Sequence, residues 1–173
     1  MNIVQSALGH YEVTGNPDDA DCVIGNSFGT SVGENSVNRL LATLIIVRAK
    51  DRPIIADRTL VNAFPDGDAQ VAHVVEGPVT NNFNQGVGTW GTLVEAKQFM
   101  ESEGLEHAMM TGQAHHIGRI AMQSDKLDIR FSVPANLPDQ FDSESEQPWT
   151  RSLLLWLPRE ILGSLVLRAQ NQI

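Results

Sequence analysis

The stretch CVIGNSFG, residues 22–29, joins a short apolar run to a turn that contains two glycines. An apolar run of this length bounded by glycine is typical of a buried strand, and it predicts a strand over Cys22 to Gly25. Apolar residues then recur at helical spacing, which predicts a helix with Asn35 or Ser36 as its cap and Pro53 as its stop. The predicted core face of this helix consists of Val37, Leu40, Leu41, Leu44 and Val47.

Short apolar runs continue to alternate with amphipathic stretches as far as Pro134, which is the pattern of a parallel sheet with helical crossovers. Further strands are predicted over Ile54 to Ala56, His73 to Glu76 and Ala108 to Thr111, with a half-exposed edge strand over Leu127 to Val133. One helix is predicted from near Thr89 to Gly104, with a Thr92–Glu95 capping box and a core face of Leu93, Ala96 and Met100, and another from near Gln113.

The end of the chain carries a wide apolar stripe interrupted by Pro158. We expect this stripe to lie on a bent terminal helix that covers the sheet. It consists of Leu153, Leu154, Leu157, Ile161, Leu162 and Leu165. The acidic segment from Pro138 to Pro148 ahead of it is predicted to be a solvated loop. The sequence thus predicts one α/β domain over residues 1–173, with a mostly parallel sheet and a carboxyl-terminal helix packed on it.

Charge and cysteine content narrow the classes of function. The 21 acidic residues against 12 basic ones give a formal net charge of −9, which argues against nucleic acid and anionic membranes as partners. The lone Cys22 excludes an internal disulfide. No leader peptide is apparent, and the apolar run from Leu40 to Val47 is too short to span a bilayer, so we expect a cytoplasmic protein.

Three segments are expected to meet at the carboxyl edge of the sheet, where helix amino termini favour anions. The first contains Gly25, Asn26 and Ser27, whose glycine turn suits either a bound ligand or the turn alone. The second, residues 86–89, leads into a helix at Thr89 and reads as a ligand contact or as a flexible loop with a cap.

The third segment, residues 111–119, contains the sequence TGQAHHIGR. A helix that starts near Gln113 places His115, His116 and Arg119 on one face, and we include Gln113 and His115 among the candidate ligand-binding residues. A neutral imidazole beside a permanent cation suits an anionic or phosphorylated ligand, although adjacent histidines on a helix also occur as surface or packing groups. We expect no metal site here, because consecutive histidines point in different directions. The sequence has no serine nucleophile elbow, phosphate-binding loop or dinucleotide fingerprint.

With these segments in order, the chain resembles the bacterial family of domains of unknown function typified by SanA, ElyC and YdcF. The likeness rests on residues 21–25, 38–40, 113–120 and 156–160, the last with the sequence WLPRE. It implies a Rossmann-like, three-layer α/β domain with a polar pocket, in which Arg39, His116 and Arg119 occupy the positions of the family's site residues.

Three features depart from that family. Residues 56–58 read ADR where the family commonly has Ser-Gly-Gly, and residues 89–92 read TWGT, without the family's acid and amide. Many members carry transmembrane segments ahead of the domain, and none is apparent here.

Two hypotheses about function follow. The leading one is a domain that binds, or acts as a hydrolase or transferase on, a small anionic, nucleotide-like or phosphorylated molecule. Arg39 and Arg119 would bind the negative charge of the ligand, and His116 would act as a general acid or base. The sequence does not identify a cofactor, and the candidate is S-adenosylmethionine or another nucleotide-like ligand. The alternative is a non-catalytic interaction protein that uses the terminal helix as a partner surface, and a homo-oligomer is also left open.

Overall fold

A computed structural model describes residues 3–11, 15–29, 36–76 and 88–173. Its strands form one parallel sheet in the order β3-β2-β1-β4-β5. The strands are β1 (Cys22–Gly25), β2 (Ile54–Asp57), β3 (His73–Val75), β4 (Ala108–Thr111) and β5 (Phe131–Ser132). The helices are α1 (Ile3–Ala7), α2 (Ser36–Ala49), α3 (Arg58–Val61), α4 (Thr89–Glu103), α5 (Ala114–Lys126) and α6 (Leu153–Ala169).

Helices cover both faces of the sheet, so the predicted three-layer, Rossmann-like α/β fold is confirmed. On one face α2 and α3 pack on the sheet, and α6 contributes Trp156 to the same cluster. On the other face α4 and α5 enclose a second cluster that includes Leu93, Ile117 and Ile120. The central strands β1, β2 and β4 are buried along their whole length because both of their faces are covered.

The strand order places a switch point between β1 and β4, where the chain changes direction across the sheet. Gly25 pairs with Ala56 of β2 on one side and with Thr111 of β4 on the other, so these three strands end at the same level. In open parallel sheets the crevice beyond such ends is where ligands bind. The loops that begin at Asn26 and Gly112 follow β1 and β4 at this edge of the sheet.

The structure corrects several details of the predicted elements. In α2, Leu40 and Val47 are exposed and Asn38 is buried instead, because its Oδ1 accepts a hydrogen bond from the N–H of Phe28 at 2.8 Å. Asn35, one of the two predicted caps of that helix, lies outside the described residues. The predicted capping box in α4 is wrong, since Gly88 is the residue before the helix and Thr92 lies buried inside it. The predicted end of α4 at Gly104 is confirmed.

The edge strand is much shorter than the alternation of residues 127–133 predicts. Helix α5 runs on to Lys126, Leu127 caps it, and Asp128 adopts a positive φ of 53° that turns the chain back. Only Phe131 and Ser132 then pair with β4. The residues at the beginning of the alternation are therefore used to end a helix and make a turn.

Helix α6 packs on the domain as predicted, but it buries a different face. The buried residues are Trp156, Glu160, Gly163 and Ser164. In the predicted stripe Leu154, Leu162 and Leu165 are exposed. The small residues Gly163 and Ser164 permit close approach, and Glu160 forms an ion pair with α5. These contacts fix the rotation of the helix and turn most of its leucines outward.

Candidate functional site

A pocket of about 280 Å³ lies at the carboxyl edge of the sheet, beside the switch point. Its sheet end is formed by the loop after β1, by Asp57 at the end of β2 and by the start of α4. One wall comes from α5, through His116, Arg119 and Gln123, and the other comes from α6. The position and size are those of a small-molecule site.

His116 is the centre of a buried network that connects three helices. Its Nε2 lies 3.0 Å from Oγ1 of Thr89, and its Nδ1 lies 3.0 Å from a terminal nitrogen of Arg119. Nε of Arg119 donates to Oε1 of Glu160 at 2.8 Å. The Glu160 side chain is only 3% exposed and that of Arg119 18%. The ion pair between α5 and α6 therefore holds the Arg119 guanidinium in place against Nδ1 of the imidazole.

The network determines which nitrogen of His116 carries the proton. A guanidinium can only donate, so Nδ1 of His116 accepts from Arg119 and the proton of the neutral ring is on Nε2. Nε2–H then donates to Thr89, whose own hydroxyl proton remains to be donated to another group. The network therefore orients the Thr89 hydroxyl as a hydrogen-bond donor.

The surroundings of His116 favour the neutral form of its imidazole. Burial lowers the pKa of His116 below its ordinary value of 6.5, and the charge of Arg119 lowers it further, while Glu160 opposes both effects. Although burial acts to raise the pKa of Glu160, Arg119 and His116 outweigh it and hold that pKa below the ordinary value. The network consequently contains a neutral histidine, a carboxylate and a guanidinium.

Asp57 is a second buried carboxyl group at the pocket. Its Oδ2 accepts the N–H of Ser27 at 2.8 Å, and its Oδ1 accepts the N–H of Leu60 at 3.0 Å, so it caps α3 and ties the β1 loop to β2. Burial raises the pKa of Asp57, although these hydrogen bonds work in the opposite direction. This side chain fixes the loop that contains Asn26 and Ser27.

Two features add positive potential on the solvent side of the pocket. The guanidinium of Arg159 lies 4.0 Å from the ring centre of Trp149, and both residues line the pocket. Helix α4 starts at the pocket with Gly88 as its cap residue, and glycine has no side chain that could accept from the N–H groups of the first turn. Those N–H groups and the helix dipole favour a negatively charged ligand.

Unused hydrogen-bonding groups lie at both ends of the pocket. Asn26 donates to the carbonyl of Thr111 at 3.2 Å, but its Oδ1 has no partner among the described residues. Gln123 is fully buried, and neither atom of its amide has a partner in the described part of the chain. Such groups are rare in folded proteins because each costs about 1–3 kcal/mol.

Five of the predicted site residues lie together at this pocket: Asn26, Ser27, Thr89, His116 and Arg119. Of the segment predicted around Thr89, residues 86 and 87 lie outside the described residues.

The other four predicted site residues are elsewhere. Gly25 is enclosed in the sheet, where a Cβ would lie 2.7 Å from Leu60 and 2.9 Å from Ile45, so a close approach requires glycine. Arg39 is exposed on α2. Gln113 caps α5 and donates to the carbonyls of Asp139 and Gln140 at 3.2 Å.

His115 does not share the face of His116 and Arg119, contrary to the sequence expectation. Its Nδ1 lies 3.2 Å from the carbonyl oxygen of Ala7 in α1, and its ring lies 5.1 Å from that of Phe141. The carbonyl of His115 accepts from Nε1 of Trp156 at 3.3 Å. This histidine joins α1 and α6 to α5.

Sequence reasoning missed Asp57 and Glu160, although each has a recognisable signal. Asp57 directly follows a buried strand, where polar residues reach the carboxyl edge, and Glu160 is the one acid in an apolar terminal helix. An acid in that position is a candidate for a buried ion pair. Residues 89–92 lack the acid of the family pattern, but the end of β2 and α6 each supply a carboxyl group to the pocket.

No family model, curated protein or solved structure gives a significant match to the chain. The resemblance to the SanA, ElyC and YdcF domains therefore stays a prediction. No helix among the described residues is long and apolar enough to cross a membrane. Within residues 3–11, 15–29, 36–76 and 88–173, no three His, Cys, Asp or Glu side chains are grouped as metal ligands.

Proposed function

We propose that the protein binds a small phosphorylated or nucleotide-like anion in the pocket beside the switch point. The observation that carries this proposal is the Glu160–Arg119–His116–Thr89 network, which holds a hydroxyl donor and a guanidinium at one end of a preformed cavity. Phosphate oxygens accept from both kinds of donor. A phosphate group placed near Thr89 would also meet the amino terminus of α4.

The charges around the pocket favour an anion as well. Glu160 offsets the charge of Arg119, and Arg159 adds a second guanidinium at the rim. Both carboxyl oxygens of Asp57 accept backbone N–H groups, from Ser27 and Leu60, and these hydrogen bonds partly compensate the charge that this group brings to the sheet end. The ligand therefore meets a site that is not dominated by carboxylates, in a protein whose net charge is −9.

The rest of the ligand would occupy the space between α5 and α6. The amide of Gln123 on α5 has a donor and an acceptor without partners among the described residues, and Trp149 offers an aromatic face. Such groups suit a polar, planar moiety of the kind found in nucleotides, including S-adenosylmethionine.

The network gives His116 a role different from that of a general base. Nδ1 is already used by Arg119, and Nε2 carries the proton donated to Thr89, so the imidazole has no lone pair directed at the pocket. His116 is a positioning residue that orients the Thr89 hydroxyl. This arrangement supports binding more directly than proton abstraction by the histidine.

Thermal-shift and calorimetric titrations test the proposal with defined probes: inorganic phosphate, pyrophosphate, nucleoside mono- and diphosphates, S-adenosylmethionine and sugar phosphates. We expect at least one anion to raise Tm and to bind with a measurable Kd. Failure of every probe to bind the wild-type protein would contradict the proposal.

Matched variants locate the binding. Arg159→Gln should weaken the bound anion about tenfold, the loss expected for a charge-assisted contact. Arg130→Gln, an equal charge change at an exposed residue before β5, should leave the Kd unchanged. Thr89→Val should weaken binding while Thr89→Ser retains it, because only the first removes the hydroxyl. Equal Kd values for Arg159→Gln and wild type would place the anion elsewhere.

A further inference from the structure

The outward face of α6 is an uninterrupted apolar stripe. Its exposed residues are Leu154, Leu155, Pro158, Leu162, Leu165, Val166 and Ala169. At 100° per residue they all fall within roughly a third of the helix circumference, opposite the buried face that contains Trp156 and Glu160. Leu154 is 86% exposed and Leu162 is 63% exposed. No charged residue lies within this sector of α6.

The stripe is large for a surface in contact with water. Over about 22 Å of helix it exposes on the order of 500 Å² of apolar side chain, a size that on a monomer often marks a contact surface. Helix α1 packs against α6, and two half-exposed apolar residues, Val4 in α1 and Leu8 just after it, add to the exposed apolar surface of this part of the protein. A standard interface buries about 800 Å² per partner, which the stripe, α1 and a polar rim together approach.

Charges of opposite sign flank the two ends of the stripe. The segment that leads into α6 exposes Glu144 and Glu146 and is attached to the start of the helix through Arg151, whose Nε donates to the carbonyl of Ser145 at 2.7 Å. The other end carries the exposed Arg168 and Lys126, whose ammonium donates to Asn171 at 2.7 Å. The exposed Asp125 precedes Lys126, so these three side chains together carry one net positive charge.

We propose that the α6 stripe is the interface of a homodimer, in which the α6 helices of two copies pack antiparallel about a two-fold axis near Leu162. In that arrangement each basic end lies against the acidic end of the other copy, so the surface is complementary to itself. The apolar middle of the stripe keeps like charges apart despite a net charge of −9 on each chain. A membrane surface is a poorer partner, because that net charge opposes anionic lipids.

The dimer goes beyond the proposed ligand site and does not depend on it. Sedimentation velocity at 1–100 µM should give a species of twice the 18.9 kDa chain mass. Leu162→Glu should give a monomer with an unchanged far-UV circular dichroism spectrum. Val47→Glu, at a residue of α2 that is 68% exposed, is the matched control and should remain a dimer.

Cysteine cross-linking tests the orientation. Leu162→Cys should form a disulfide-linked dimer under mild oxidation, because the residue lies at the axis, whereas Leu154→Cys should link only in a mixture with Ala169→Cys. The native Cys22 is buried and does not interfere. A wild-type monomer at 100 µM, a dimeric Leu162→Glu variant or Leu154→Cys linking to itself would each overturn the proposal. So would a monomer that floats with phosphatidylcholine–phosphatidylglycerol vesicles, because the stripe would then be a lipid-binding surface.

Discussion

Protonation of His116 should set the pH dependence of stability between about pH 5.5 and 7.5. Burial and Arg119 hold the pKa of this imidazole below 6.5 in the folded protein, whereas the unfolded chain protonates it at its ordinary value. As the pH falls through 6.5 the unfolded state therefore binds a proton that the folded state does not. The contribution of His116 to the free energy of unfolding is therefore fully present above this pH and declines below it.

The magnitude follows from one proton. The free energy of unfolding should fall by at most about 1.4 kcal/mol from pH 7.5 to 5.5 on account of His116 alone, which is the limit for one proton bound by the unfolded state only. Glu160 does not contribute in this window, because its lowered pKa confers stability that is lost only below its ordinary value of 4.5. Asp57, with a raised pKa, acts in the opposite direction wherever it titrates.

The assay is urea denaturation of the wild-type protein and His116→Gln at several pH values. Other groups contribute to both curves, so the difference between the two free energies of unfolding isolates His116. That difference should decline toward pH 5.5 by up to about 1.4 kcal/mol, on top of a constant offset from the substitution. Parallel curves, or an NMR titration of the folded imidazole with a midpoint at or above 6.5, would refute the reasoning.

Three further outcomes are expected. Gly25→Ala should lower the free energy of unfolding by about 1–3 kcal/mol in urea denaturation, because the new Cβ would press on Leu60, and an unchanged value would show that the sheet yields there. Glu160→Gln should cost about 3 kcal/mol in the same assay by leaving Arg119 without its carboxylate, whereas a loss below about 0.5 kcal/mol would mean that the ion pair adds little. Burial, with a smaller contribution from Asp21, raises the pKa of Cys22 to about 12, so Ellman's reagent at pH 8 should react only with denatured protein, and rapid reaction of the folded protein would contradict this burial.

The sheet was predictable because its signals are local. The apolar runs at β1 and β4 have the predicted bounds, and Gly104 ends α4 in the left-handed conformation that favours glycine. The face that a helix buries depends on partners distant in sequence, and there the predictions hold only in part. The predicted face of α4 is buried, whereas several predicted core residues of α2 and α6 are exposed. Asn38 turns α2 through its bond to Phe28, and Glu160 turns α6 through its bond to Arg119.

The candidate site was predictable to the same extent. The carboxyl-edge rule brings Asn26, Thr89 and His116 to one pocket from three separate segments. It cannot show that a helix some 40 residues further along the chain supplies the opposite wall. Nor can helical spacing distinguish His116 from its neighbour His115, since that choice depends on where α1 and α6 dock.

The contribution of α6 to the pocket also affects how the site is made during synthesis. All five strands precede α6 in the chain, so a growing polypeptide can pair its sheet before Trp156 and Glu160 have left the ribosome. At that stage Phe28 has no indole ring over it, and Arg119 has no carboxylate. The pocket is thus completed late in translation, and a nascent chain interrupted before α6 would present an open crevice that chaperones and proteases can recognise.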